Sequence, residues 1–334
     1  MLVNTLLLLG GCVLLYFGAE WLVRGAAIIA EALGIPKSVV GLTLVAFGTS
    51  APELVVNLIA GYEGQTDIAL ANVSGSNLTN ICVGFGLCGV ISGVAIKSSA
   101  FRDDLVMLIL SAAMILGFLL LNLDRPQVPL WSAAPLMVVL GFYLISLRRR
   151  TGSWRENREG DHSTRTLLLH FGIFLAGVAS LYGGGRMVLN GAVAIAEFFR
   201  ISDALIGLTI IAAGTSIPDT LASVIAARRG QHELAVGNIL GSNISNILVV
   251  LTGTILSSWI GGHPSKNGEP PLPPGSLGAD HNIVLDYVAV CLVSLIFIAL
   301  ASFAGRVRRP AGIILLILYV GYMGTRVSIE WMAR

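Results

Sequence analysis

One pattern occurs twice in this chain and limits what it can become. Residues 41–53 read Gly-Leu-Thr-Leu-Val-Ala-Phe-Gly-Thr-Ser-Ala-Pro-Glu, and residues 207–219 read Gly-Leu-Thr-Ile-Ile-Ala-Ala-Gly-Thr-Ser-Ile-Pro-Asp. Each copy is an apolar helix that runs into Gly-Thr-Ser-x-Pro and then presents an acid, Glu53 or Asp219. A carboxylate within an apolar span costs about 2.5–3.5 kcal/mol on insertion scales, so it is a functional candidate by default. Pro52 and Pro218 have no amide N–H, which leaves the carbonyls of Gly48 and Gly214 without their helical donors. Irregular backbone at membrane depth is tolerated only where it is buried in protein or lines a cavity. Carbonyl, hydroxyl and carboxylate oxygens converging there suit a hard cation such as calcium or sodium.

The copies belong to a longer duplication. A shift of 166 residues aligns Tyr16–Ile81 with Tyr182–Ile247 without a gap, with 27 identities in 66 positions. That makes a repeated structural unit. Its second block is Asn72-Val73-Ser74-Gly75-Ser76-Asn77-Leu78-Thr79-Asn80, matched by Asn238-Ile239-Leu240-Gly241-Ser242-Asn243-Ile244-Ser245-Asn246. Ser76 and Asn80 share one helix face, as do Ser242 and Asn246.

The chain is 55% hydrophobic and 12% charged, against about 25% charged in soluble domains. The expectation is an all-α polytopic membrane protein. Apolar runs of spanning length predict ten transmembrane helices near 3–32, 38–61, 67–95, 103–123, 128–147, 166–198, 204–227, 233–259, 283–304 and 309–330. The first run has no basic segment ahead of it, so it reads as a span, not a cleaved leader. The first and sixth runs are long enough to be tilted.

Basic residues set the expected orientation. With the N-terminus outside, fourteen Lys and Arg fall on inside loops and only Arg125, Arg200, Lys266 and Arg334 fall outside. The chain is therefore expected N-out and C-out. Five spans separate the first helices of the two units, so these run in opposite directions. The expected domains are two inverted five-helix repeats, 1–147 (motif 41–81) and 166–334 (motif 207–247), joined by a cytoplasmic linker at 148–165. Secondary transporters with this architecture bind substrate at the midplane.

Other features carry less. The linker is basic and serves topology rather than lipid recognition. The external loop 261–282 holds His263, Glu269, Asp280 and His281, too scattered to make a convincing regulatory metal site. Cys12, Cys82, Cys88 and Cys291 all lie in apolar stretches without CxxC spacing and read as packing residues. Glu20, Glu31, Glu197, Arg24 and Arg186 are expected near helix ends, snorkelling or salt-bridged.

The paired Gly-Thr-Ser-x-Pro-acid and Gly-Ser-Asn blocks resemble those of the calcium/cation antiporter superfamily, the sodium/calcium exchangers and their prokaryotic relatives. The resemblance covers the whole chain. It implies that Glu53 and Asp219 are central carboxylates shared by calcium and sodium, balancing one calcium ion. It implies further oxygens from Thr49 and Thr215, backbone carbonyls from Ala46 and Ala212, hydroxyls from Ser50, Ser76, Ser216 and Ser242 to flanking sodium sites, and Asn80 and Asn246 completing the ring. Asp219, where many exchangers have Glu, is similar to the potassium-dependent branch, but Asn246 stands where that branch carries Asp, which argues against a potassium site.

The implied activity is sodium/calcium exchange by alternating access, with calcium, sodium and the lipid bilayer as partners. No cofactor, nucleic acid or obligatory protein partner is expected, and the expected place is a bacterial or archaeal inner membrane. Calcium/proton exchange at the same site is the alternative; the Thr-Ser neighbours of both acids favour sodium, which needs several neutral oxygens. A cation channel fits the inverted symmetry less well. An intramembrane protease would need a histidine base or an aspartyl pair; only His170 enters a span, and the aspartyl-protease patterns are absent.

Overall fold

The computed structural model describes residues 2–96, 98–121, 123–124, 126–152, 164–198, 212–261, 273, 275–279 and 281–332. The chain opens with α1 (Leu2–Leu33). The next span is broken: α2 (Lys37–Val40), a π-helical turn (Gly41–Val45), α3 (Ala46–Thr49) and α4 (Ala51–Tyr62). It is followed by α5 (Thr66–Thr79), a π turn (Asn80–Gly84), α6 (Phe85–Ile91), β1 (Val94–Ala95), α7 (Ser98–Leu120), β2 (Gln127–Val128) and α8 (Ala133–Gly152). The second half holds α9 (Thr164–Phe198), α10 (Ala212–Thr215), α11 (Ile217–Arg228), α12 (His232–Ser245), a π turn (Asn246–Leu251) and α13 (Thr252–Gly261). It closes with β3 (Leu277–Gly278), α14 (His281–Ala304), β4 (Arg306–Val307) and α15 (Arg309–Met332).

Eight helices among the described residues are long and apolar enough to cross a membrane, or nine with the bent pair Lys37–Thr49 and Ala51–Tyr62. The first part of the span expected at 204–227 lies outside the described residues, as do most of the linker and most of the 261–282 loop. His263, Glu269 and Asp280 fall in that undescribed part; His281 starts α14.

The duplication is visible in matched local structure. Gly64 and Gly230 both have φ +72°, open only to glycine at low cost. Each closes its helix with the same pair of bonds: Gln65 N–H to the Ala60 carbonyl and Gln231 N–H to the Ala226 carbonyl, both at 2.8 Å, and Gly64 to Gly61 and Gly230 to Ala227. This is the Schellman ending. Asn80 and Asn246, 166 residues apart, each open a π turn.

The span around α5 is 72% buried and that around α12 78%, against 11% for α15, so the two motif-bearing helices form the centre. The strand pairs tie the molecule at the two ends of α14, with β1 on β4 and β2 on β3, both antiparallel.

The helices α1 and α9 lie antiparallel with their backbones in contact through glycines. A Cβ on Gly177 would sit 2.5 Å from the Leu22 nitrogen, one on Gly18 2.9 Å from the Leu181 nitrogen, and one on Gly11 2.8 Å from the Gly184 oxygen. Small residues that let backbones approach are a principal source of attraction between helices in lipid. From this pair, Phe174 and Val178 press on Gly48, and Gly185 faces Pro218. The pair therefore covers both broken helices.

Three expectations need correcting. Glu20 and Arg186 lie well inside α1 and α9, not near their ends. The long helices simply continue past them: Glu20 is ion-paired with Arg229, and Arg186 stacks over Tyr182 at 5.6 Å. Cys12 is exposed, turned outward from the α1–α9 seam, whereas Cys82 and Cys88 are buried. The 67–95 helix stops at Ile91, because Gly93 takes φ +65° and the chain then enters β1.

Candidate cation-binding site

The break in the second span falls on a single residue. Ser50, at φ −91° and ψ 6°, ends α3, and α4 restarts at Ala51 with a bend of 51°. Ser216 repeats that geometry at φ −87° and ψ 1°. Pro52 and Pro218 sit in the first turns of α4 and α11, where a missing N–H is harmless. The unwinding is thus narrower than the proline argument alone suggests. Glu53 and Asp219 fall in those same first turns, where the helix dipole favours the carboxylate. The C-terminal end of α3, which carries Ala46–Thr49, offers the opposite polarity and suits a cation.

The expected residues whose burial is described are buried or half-buried, and some of them meet at the two carboxylates. Glu53, Asp219, Ser76, Ser216, Ser242, Asn80 and Asn246 are fully buried, and Thr49, Ser50 and Ala46 nearly so. Thr215 is half-buried at the end of α10, the helix that Ala212 begins. Asp219 accepts from Ser242 Oγ at 3.1 Å and, across the repeats, from Asn80 Nδ2 at 2.8 Å. Thr49 and Ser50 of the first repeat also approach its carboxylate. Glu53 lies within electrostatic range of Asp219, with Ser76 beside it.

What singles the cluster out is its surplus of acceptors. Both oxygens of Glu53, the hydroxyls of Ser50, Ser76 and Ser216, and the amide oxygens of Asn80 and Asn246 are buried without a hydrogen-bond partner in the protein. Buried polar groups are ordinarily paired, and a buried carboxylate without donors calls for a positive charge. Among the described residues no group of three or more His, Cys, Asp or Glu exists. The set of two carboxylates, hydroxyls and amides is all oxygen, suited to calcium or sodium and not to a softer metal.

Backbone packing holds the two halves in register. A Cβ on Gly237 would meet the Ser38 oxygen at 2.6 Å, and one on Gly241 the Leu42 oxygen at 2.6 Å, so α12 lies directly on the broken span. Gly241 thus serves close packing against that span.

Side chains not expected at the site form a frame around it. Asn238, Asn72, Asn57, Ser223, Asn77 and Asn243 bond to one another or to site residues. Their signal was present in the sequence, since 72 and 238, 77 and 243, and 57 and 223 are equivalent positions of the duplication. His170 bonds locally to the Thr166 carbonyl at 2.8 Å.

Comparison with known proteins agrees with the geometry. The pattern of the family described as "Sodium/calcium exchanger protein" matches residues 3–148 and 169–327. CaxA of Alkalimonas amylolytica, a candidate antiporter by its name, is 35% identical over 96% of this chain and 98% of its own. The inner membrane protein YrbG of Escherichia coli is 32% identical over 89% of this chain and 88% of its own. A solved structure of the sodium-calcium exchanger NCX_Mj superposes with a TM-score of 0.79 at 25% identity, covering 97% of this chain and 98% of that one. The chain is thus a membrane transporter, not an enzyme, and it belongs to the sodium/calcium exchanger protein family.

Proposed function

We propose that this protein exchanges sodium for calcium across a bacterial or archaeal inner membrane, with ten spans arranged as inverted repeats 1–147 and 166–334, N-out and C-out. The carrying observation is the buried pair Glu53 and Asp219, one from each repeat, amid oxygens that the protein leaves without donors. Two carboxylates balance one calcium. Thr49, Thr215, Asn80, Asn246 and the carbonyls of Ala46 and Ala212 complete the six to eight oxygens that calcium takes at about 2.3–2.6 Å, and Ser50, Ser216, Ser76 and Ser242 supply hydroxyls to flanking sodium sites. Sodium competes for the same oxygens. Occupancy by one calcium, or by enough sodium to match the same charge, neutralises the site and lets the α1–α9 pair, which already packs over both broken helices, shift across it. An empty, charged site resists being covered, which enforces exchange.

The test is calcium uptake into proteoliposomes driven in parallel by outward sodium and outward proton gradients, with and without potassium. Sodium-driven uptake that needs no potassium is expected. Uptake driven only by protons would transfer the protein to calcium/proton exchange, and no uptake under either gradient would remove calcium as the substrate. Glu53→Gln and Asp219→Asn should each abolish exchange; robust transport by either would refute the site.

A further inference from the structure

The frame around the site has a fixed direction of hydrogen bonding. Ser223 Oγ donates its one proton to the Asp219 main-chain carbonyl at 2.8 Å, so towards Asn238 it can only accept. Asn238 Nδ2 therefore faces Ser223 Oγ (2.9 Å) and the Asp219 carbonyl (3.1 Å), which fixes the orientation of the amide. Its Oδ1 is left pointing at Thr49 Oγ1, 3.1 Å away in the other repeat. Facing an acceptor, Thr49 must be the donor.

The other repeat has the same polarity with a different anchor. Asn57 Nδ2 donates to the Ala69 carbonyl at 3.1 Å, which leaves Asn57 Oδ1 to accept from Asn72 Nδ2 at 2.7 Å. Asn72 Oδ1 then receives Thr215 Oγ1 at 3.4 Å, again across the repeats.

A hydroxyl has one proton and two lone pairs. It can ligate a cation only when its proton is directed elsewhere. Thr49 has other acceptors as well, the carbonyls of Val45 at 3.0 Å and Ala46 at 3.3 Å and the Asp219 carboxylate that it approaches. A proton given to Ala46 or to Asp219 would spend an oxygen that the cation itself needs. We propose that Asn238 and Asn72 are positioning residues that take the hydroxyl protons of Thr49 and Thr215, turning their lone pairs inward, so that each repeat orients the cation ligand of the other. This rests on the reading of both threonines as ligands. Partners of this kind behind a ligand are typically worth about 10–100-fold in metal affinity.

The test is a double-mutant cycle on the purified full-length chain, read by equilibrium binding of radiolabelled calcium and its competition by sodium. Asn238→Ala should weaken calcium binding about 10–100-fold. In a Thr49→Val background, where no proton needs placing, the same change should add less than about twofold. Ser223→Ala, a milder change that frees the amide to turn, should show the same dependence on Thr49 and serves if Asn238→Ala does not fold. Asn72→Ala should behave likewise towards Thr215→Val. Penalties that add in full in both double variants would overturn the proposal, because a merely structural role is indifferent to the threonine. A wild-type chain that binds neither calcium nor sodium would instead overturn the functional reading.

Discussion

Asn80 donates to Asp219 Oδ2 at 2.8 Å, reaching from the first repeat to the carboxylate of the second. Its counterpart Asn246 makes no such bond to Glu53; it donates to Asn77 Oδ1 at 3.1 Å. Sequence equivalence therefore does not carry over into equivalent bonding. Asp219 is supported by Ser242 and Asn80, whereas Glu53 has no donor.

That asymmetry separates stability from affinity. In cation-free protein, Ser242→Ala should cost about 2 kcal/mol, the range for a hydrogen bond to a carboxylate. Ser76 lies beside Glu53 without a well-aligned hydrogen bond, so Ser76→Ala should cost less than about 1 kcal/mol. Both should weaken calcium binding. Denaturation with and without calcium checks the pair.

The α1–α9 seam should not accept a methyl group. Gly177→Ala places a Cβ 2.5 Å from the Leu22 nitrogen, backbone that cannot yield without parting the helices. It should destabilise by about 1–3 kcal/mol. Gly172, on the same helix, has nothing within 4 Å of an added Cβ, and Gly172→Ala should stabilise by about 0.4–1 kcal/mol. Thermal unfolding of the two variants in detergent makes the comparison.

Arg229, at the end of α11, reaches Glu20 on α1 with its Nε 3.1 Å from Oε1. The Arg229 side chain is 40% exposed, so screening limits what the pair contributes. Glu20→Gln should lower stability by less than about 1 kcal/mol. Unfolding midpoints at low and high salt give the measurement, with a smaller difference from wild type expected at high salt.

Asn246→Asp would add a third carboxylate to Glu53 and Asp219 and remove the donor to Asn77. The extra charge needs a further cation to be tolerated at that depth. Calcium flux by this variant should respond to potassium, while wild-type flux should not. Parallel flux assays with and without potassium decide it.

Much was legible before any coordinates. The duplication at an offset of 166 residues, the carboxylate after Gly-Thr-Ser-x-Pro and the spanning apolar runs follow from residue identity and local spacing, and these pointed to Glu53 and Asp219, while the wider set of oxygens is what the resemblance implies. Hydropathy and proline chemistry act along the chain, so the sequence alone determines them. Tertiary structure decided what lies between segments: that Asn80 serves Asp219 while Asn246 serves Asn77, that α12 lies on the broken span, and that Asn238 and Asn72 cross over to Thr49 and Thr215. The π turns at Asn80 and Asn246 and the confinement of the break to Ser50 also emerge only there. Pairing across repeats depends on how the interlocked halves are turned about one another, and no property of either segment alone specifies that rotation.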